Sequence, residues 1–245
     1  MTDRDAPTDP AAEEEAPRDE IEAARAALLD AALIHVAFDG WSAKTLRAAT
    51  LESEVDPALA RIAAPRGAID LAIAFHDRAD HQLAADLSAT DLTGLRYRDR
   101  VAYAVRRRFE LVAAHREVVR RSTSLFALPM HAMDGSRALW RTADTIWRAL
   151  GDDSQDYNWY TKRMTLSGVL SATLLYWLGD ESPGAVRTRE FVDRRIDDVM
   201  QIEKLRSQMT ENPLGRALMT GPNWLLGRIR PPSARTDMPG YVPPR

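Results

Sequence analysis

Between Gly151 and Arg163 the chain reads GDDSQDYNWYTKR. Acids (Asp152, Asp153, Asp156), aromatics (Tyr157, Trp159, Tyr160) and cations (Lys162, Arg163) crowd one apparent helix start. None of these is a nucleophile paired with a base, so the chemistry on offer is recognition rather than bond breaking. Trp, Tyr and Arg are the residues over-represented where one protein anchors another. Helical spacing puts Trp159, Lys162, Arg163 and Leu166 on one face. A second use fits the same residues. Trp159 and Tyr160 can be core aromatics, Asp156 an N-cap, and the charges a solvated rim.

No catalytic constellation stands elsewhere. There is no Gly-rich phosphate loop, no nucleophile elbow and no Glu-x-x-His pair of a di-iron bundle. The chain has no cysteine, which excludes disulfides and thiolate sites. HDRADH, His76 to His81, is the one cluster with metal-ligand types. His76 and Asp80 share a helix face while His81 points elsewhere, so the expectation is a solvated helix face and no metal. His35, His115 and His131 have no recognisable partners.

These residues need a scaffold, and its period is helical. Leu28, Leu29, Ala32, Leu33 and Val36 form a stripe closed by Gly40. Asp56-Pro57 reads as an N-cap and first helical residue. Further stripes run over 69–87, 101–112 and 139–150, the last ended by Gly151. The segment from Tyr160 to Leu178 is apolar nearly all round, which predicts a central helix or one that lines something apolar. Val192, Ile196, Val199 and Met200 supply one more. About nine or ten helices in all are expected, an all-α fold, and the Val101–Val112 segment has an Arg-rich second face. Residues 1–19, acidic and Pro-rich, read as a disordered tail without targeting features. Residues 20–205 form the domain, with 20–80 and 81–205 as its parts. From 206 to 245 Pro and Gly rise, and Leu214, Leu218, Trp224, Leu225 and Leu226 are interspersed with arginines. That mix predicts a membrane-contacting segment lying on anionic lipid; a C-terminal helix docked on the domain is the alternative. The 245 residues are 45% hydrophobic and 28% charged, with a net charge of −3, and no apolar run reaches the ~20 residues of a membrane span. A peripheral protein of the cytoplasm is expected.

The stretch LLDAALIHVAFDGWSAKTLRAATLESEVDPALARIAAP resembles the start of a TetR-family regulator, whose third helix enters the DNA major groove. The chemistry departs from that task. From Ser42 to Asp80 the cations are Lys44, Arg47, Arg61, Arg66 and Arg78. The acids are Glu52, Glu54, Asp56, Asp70, Asp77 and Asp80, which leaves five against six. A DNA reader needs a basic footprint. The resemblance therefore implies the fold and not the repressor, and no nucleic-acid partner is expected. A TetR-type regulator with an apolar effector is the alternative function.

GDDSQDYNWYTKR, then LGDESPG (178–184) and FVDRRIDDVM (191–200), resemble in order and spacing the lipid-binding accessory protein family of ubiquinone biosynthesis. The resemblance runs from about residue 20 to 210. It implies a TetR-like fold without DNA binding, a homodimer, and a non-enzymatic protein that works beside the di-iron demethoxyubiquinone hydroxylase. A cofactor is not implied; a bound lipid or isoprenoid quinone intermediate is. The tail is similar to that of a bacterial member, peripheral to the inner membrane. Carried over, the partner-binding residues are Ile146, Asp156, Asn158, Trp159, Tyr160 and Arg163. An isoprenoid needs an apolar tunnel. Candidate lipid-binding residues are Phe126, Leu128, Met130, Met133, Met164, Ser167, Leu170, Ser171, Leu174 and Met200, although the same residues would fill a packed core.

Overall fold

The computed structural model describes residues 10–152, 154 and 157–211, with side chains for 17–152, 154 and 158–201. Among the described residues there are nine α-helices, joined by turns and three short 3₁₀ segments. The all-α expectation holds. The chain divides into two compact units.

The first unit comprises residues up to Gln82 and Arg108–Ala138. It holds α1 (Pro10–Asp39), α2 (Ala43–Glu52), α3 (Pro57–Ala63), most of α4 (Ala68–Ala89), the end of α5 (Tyr97–Leu111), α6 (Arg116–Phe126) and the start of α7 (Ala132–Ala149). The sequence punctuation works as its chemistry demands. Gly40 takes φ +63° and ends α1, a left-handed position that glycine enters without a Cβ clash. Ser42 accepts from the Thr45 N–H at the start of α2. Asp56 accepts from the N–H groups of Ala58 and Leu59, and Pro57 opens α3. The stripe on α1 is buried, with Leu28, Ala32 and Val36 sealed completely. It packs against α2, α3 and α6. Trp41 is buried beside it, and its indole N–H donates to Ser122 Oγ at 2.8 Å.

α1 begins at Pro10, inside the stretch 1–19 read as a tail. Pro suits a first helical position.

The second unit comprises Leu83–Arg107 and the residues from Leu139 onward. It holds the remainders of α4, α5 and α7 together with α8 (Tyr157–Gly179) and α9 (Val186–Glu211), which pack on each other. Leu83, Val101, Val105, Ile146, Leu166, Val192 and Ile196 are in its core. The Arg-rich face of α5 is answered by acids. Arg106 donates to Asp193 at 2.9 Å, Arg98 pairs with Asp197, and Arg107 meets Asp86 at 2.7 Å. FVDRRIDDVM thus presents Asp193 and Asp197 to α5. LGDESPG is a cap. Asp180, buried, accepts from the N–H and hydroxyl of both Ser182 and Thr188 at 2.6–2.9 Å and ties the end of α8 to the start of α9. Burial works against its charge, but those hydrogen bonds hold it far below the ordinary carboxylate range. α9 runs through Glu211, so the domain boundary placed at 205 falls inside a helix. Leu214, Leu218, Trp224, Leu225 and Leu226 lie outside the described residues.

The face of α4 carrying His76 and Asp80 is not solvated. Asp80 is buried and accepts from the buried Arg108 at 2.6 Å, and the Arg108 guanidinium also donates to His76 O. Among the described residues no group of three or more metal-ligating side chains forms.

Candidate functional site

The turn after α7 aims the acids of the opening stretch. Gly151 at φ +78° donates to Arg148 O, and Asp152 N–H donates to Trp147 O at 2.9 Å. This pair of bonds is a Schellman closure, which only a left-handed residue at Gly151 allows at low cost. Asp152 is thereby turned toward α8. Its carboxylate accepts from Lys162 Nζ at 2.7 Å, Ser154 Oγ at 2.6 Å and Arg163 Nη1 at 3.0 Å. Burial pushes the Asp152 carboxyl up, but the bonds from Lys162, Ser154 and Arg163 overcome it and hold the group at about 2.

Arg163 is the centre of the cluster. It is 1% exposed. Its Nε donates to Asp144 Oδ1 of α7 at 2.6 Å, and Nη1 also donates to Trp159 O at 3.1 Å. The guanidinium lies 4.0 Å from the centroid of the Trp159 ring. One cation between two carboxylates, roofed by an indole, makes three hydrogen bonds and is shielded from water. That geometry suits a planar guanidinium and not a lysine.

The indole over Arg163 has a second face. Trp140 of α7 lies 5.8 Å from Trp159 and 6.2 Å from Tyr160, and Trp159 and Tyr160 meet edge to face at 4.7 Å. All three rings are half-buried, and Asn158 beside them is exposed. Trp147 faces inward instead, 6% exposed, stacked on Tyr97 at 6.0 Å with Lys162 over its ring. The arrangement is an aromatic surface cluster on an ionic footing. Its outer part offers apolar contact with a few directed polar groups, while the Ser154 hydroxyl is tied into the footing between Asp152 and Lys162 Nζ at 2.6 and 2.8 Å.

Several site expectations change. Ile146 is fully buried in the core and offers no surface to a partner. Arg163 is buried as well: its charge is met by Asp144 and Asp152, and its guanidinium lies against the Trp159 ring. Leu166, also buried, shows that the face shared with Arg163 turns inward. Trp159, Tyr160 and Asn158 remain accessible. Asp156 lies outside the described residues. Trp140 was missed. It falls outside the apolar stripe of Leu139, Ala143, Ile146, Trp147 and Leu150, and a large aromatic off that stripe was the available signal.

The lipid candidates separate. Phe126, Leu128, Met130 and Met133 belong to the first unit; Met164, Ser167, Leu170, Ser171, Leu174 and Met200 belong to the second. Leu128, Met130, Met133 and Met164 are exposed. Phe126 packs against Gly135, where a Cβ would come within 2.7 Å, and against the His76 ring. Leu170 is a core residue, and Ser167 Oγ donates to Arg163 O. Ser171, Leu174 and Met200 are half-buried. α8 is not buried all round. Met164, Gly168 and Leu175 leave one exposed, largely apolar stripe along it.

Residues 132–203, which include the whole cluster, match the family model described as COQ9. The chain is 32% identical over 200 residues to the mitochondrial ubiquinone biosynthesis protein COQ9 of Drosophila melanogaster, covering 80% of this chain and 61% of the relative. It is 27% identical over 190 residues to the probable mitochondrial ubiquinone biosynthesis protein of Dictyostelium discoideum, covering 75% and 62%. The chain thus spans less than two thirds of the length of these relatives. A TetR transcriptional regulator from Nitrosomonas europaea superposes with a TM-score of 0.58 at 21% identity, over 71% of this chain and 95% of that one. The TetR-like fold is shown, and the chain is similar in sequence to the COQ9 proteins. The relatives are mitochondrial by name, whereas the tail's composition led to a bacterial expectation. Among the described residues no helix is long and apolar enough to cross a membrane.

Proposed function

We propose, from this likeness, that the chain serves ubiquinone biosynthesis as a non-enzymatic lipid-binding protein. In this reading it binds an isoprenoid quinone intermediate and presents it to the di-iron demethoxyubiquinone hydroxylase. The observation that carries the docking half is the surface cluster of Trp140, Trp159 and Tyr160, held over Arg163. Half-exposed Trp and Tyr rings fixed in place lose little entropy on contact, which is what makes such residues interface anchors. The exposed stripe of Met164, Gly168 and Leu175 on α8 supports a second apolar contact. A second copy of the chain, with Gly168 allowing close approach, is the occupant that fits the expected homodimer. The segment 206–245 is the membrane-contacting part of the proposal.

The repressor alternative gains the fold likeness, but three of the five cations between Ser42 and Asp80 are neutralised. Lys44 pairs with Asp39, Arg78 with Asp30, and Arg66 with Asp70 and Asp134. Cations neutralised in this way release few counterions from a DNA backbone. Mass spectrometry of an organic extract of the purified protein tests the lipid half. An isoprenoid quinone or its precursor in stoichiometric yield is expected. An extract without lipid, from protein that still captures the hydroxylase, would leave a docking protein only.

A further inference from the structure

Between α2 and α3 of the first unit lies a groove of about 360 Å³. Its walls are apolar, chiefly Leu46, Leu51, Pro57 and Ala60, and its charged lining residues are Arg47 and Arg61 alone. The other cations of these helices and the turn after them are spoken for: Lys44 by Asp39, and Arg66 by Asp70 and Asp134. Arg47 and Arg61 are exposed and have no ion pair among the described residues. The nearby acids are partly committed. Asp56 caps α3, and Glu52 is hydrogen-bonded to His35 at 2.8 Å. Around the groove, Leu51 is 81% exposed and Ile62, next to Arg61, is 57% exposed.

We propose that this groove docks an anionic phospholipid of a membrane surface. The phosphate meets Arg47 and Arg61, and acyl carbons lie against Leu46, Leu51 and Ala60. Charge complementarity selects an anion, and apolar walls select an amphiphile. Projecting Leu and Ile side chains beside long cationic stems are the mix that enters the headgroup boundary. An acidic peptide is the poorer occupant. The helical walls have spent their backbone hydrogen bonds within α2 and α3, which leaves no strand edge for a peptide to pair with. The proposal places a membrane contact in the helix-turn-helix part, independent of both the C-terminal tail and the docking cluster.

The chain has no cysteine, so the full-length Leu51→Cys variant takes one environment-sensitive fluorophore at one place. Phosphatidylglycerol vesicles should shift its emission to the blue, and phosphatidylcholine vesicles should not. Adding Arg47→Ala and Arg61→Ala should lower the apparent affinity read at position 51 about thirtyfold, the loss of two cations at an anionic surface. Circular dichroism should show the same helicity, since neither arginine is ion-paired. An unchanged titration with both arginines removed overturns the proposal. So does a blue shift produced by an acidic amphipathic peptide or by monomeric lysophosphatidylglycerol but not by vesicles. Pull-down of the hydroxylase by the same double variant should be unaffected, which separates this test from that of the docking cluster.

Discussion

The α2–α3 groove and the α7–α8 cluster are built from the same materials, arginines beside large apolar side chains, and they use them in opposite ways. In the cluster Arg163 is sealed between Asp144 and Asp152 under the Trp159 ring. In the groove Arg47 and Arg61 stand in solvent with no acid assigned to them. A buried arginine cannot be left without its carboxylates, so its role is to hold other groups still. An exposed arginine costs nothing while unpaired and stays available. Burial, not residue type, decides whether a cation is structural or offered to a ligand.

The largest expected break in that comparison is Arg163→Met. It leaves Asp144 and Asp152 facing an apolar side chain, and removing one partner from a buried pair costs about 3–5 kcal/mol. Thermal unfolding should show a large loss, and Arg163→Lys should recover only part of it, since an ammonium cannot span both carboxylates. Equal melting temperatures for Arg163→Met and wild type would mean that the ionic footing does not hold the cluster.

Trp159→Ala is expected next. If the rings are interface anchors, hydroxylase binding should weaken by about 2 kcal/mol or more, roughly thirtyfold. Tyr160→Ala should act the same way with less loss of stability, because Tyr160 does not roof Arg163. Trp159→Phe should retain most of the stability. Titration of the hydroxylase by calorimetry against each variant checks this. Full-strength binding by folded Tyr160→Ala and Trp159→Ala would remove the cluster from the docking reading.

Acid should loosen the cluster in a definite window. The folded Asp152 carboxyl is held at about 2 against an ordinary 3.8. Its contribution is complete above about pH 4 and is lost as the pH falls toward 2, a change of ~2 kcal/mol. The sign is that of a carboxylate whose charged form is favoured by folding. Near-ultraviolet dichroism of the tryptophans should fade over that window in wild type. In Asp152→Asn the step should shrink.

The smallest effect belongs to the groove. Arg61→Met should change stability by no more than about ±0.5 kcal/mol, as exposed, unpaired positions do. A loss comparable to that of Arg163→Met would show that Arg61 is as structural as its buried counterpart.

Much of the scaffold was legible because it depends on local rules. Gly40, Asp56-Pro57 and Gly151 mark helix ends through their own φ preferences and side-chain reach, whatever surrounds them. The stripes on α1, α4 and α7 name their buried faces by period alone. The GDDSQDYNWYTKR signature and its order with the two later motifs were also sufficient to point to the likeness to the COQ9 proteins. Tertiary structure alone decided which members of that signature face outward. Spacing put Trp159, Arg163 and Leu166 on one face but could not say that the face turns inward, since that depends on Asp144, which lies 19 residues before Arg163, and on the turn at Gly151. The same holds for Asp80, which became a buried ion pair only when Arg108 arrived from α5. On α8, apolar nearly all round, no stripe contrasts with a polar face. Only the packing of α9 and the rest of the second unit leaves Met164, Gly168 and Leu175 uncovered. A helix period fixes directions about one axis; burial is a property of what lies in those directions, and neighbours distant in sequence supply it.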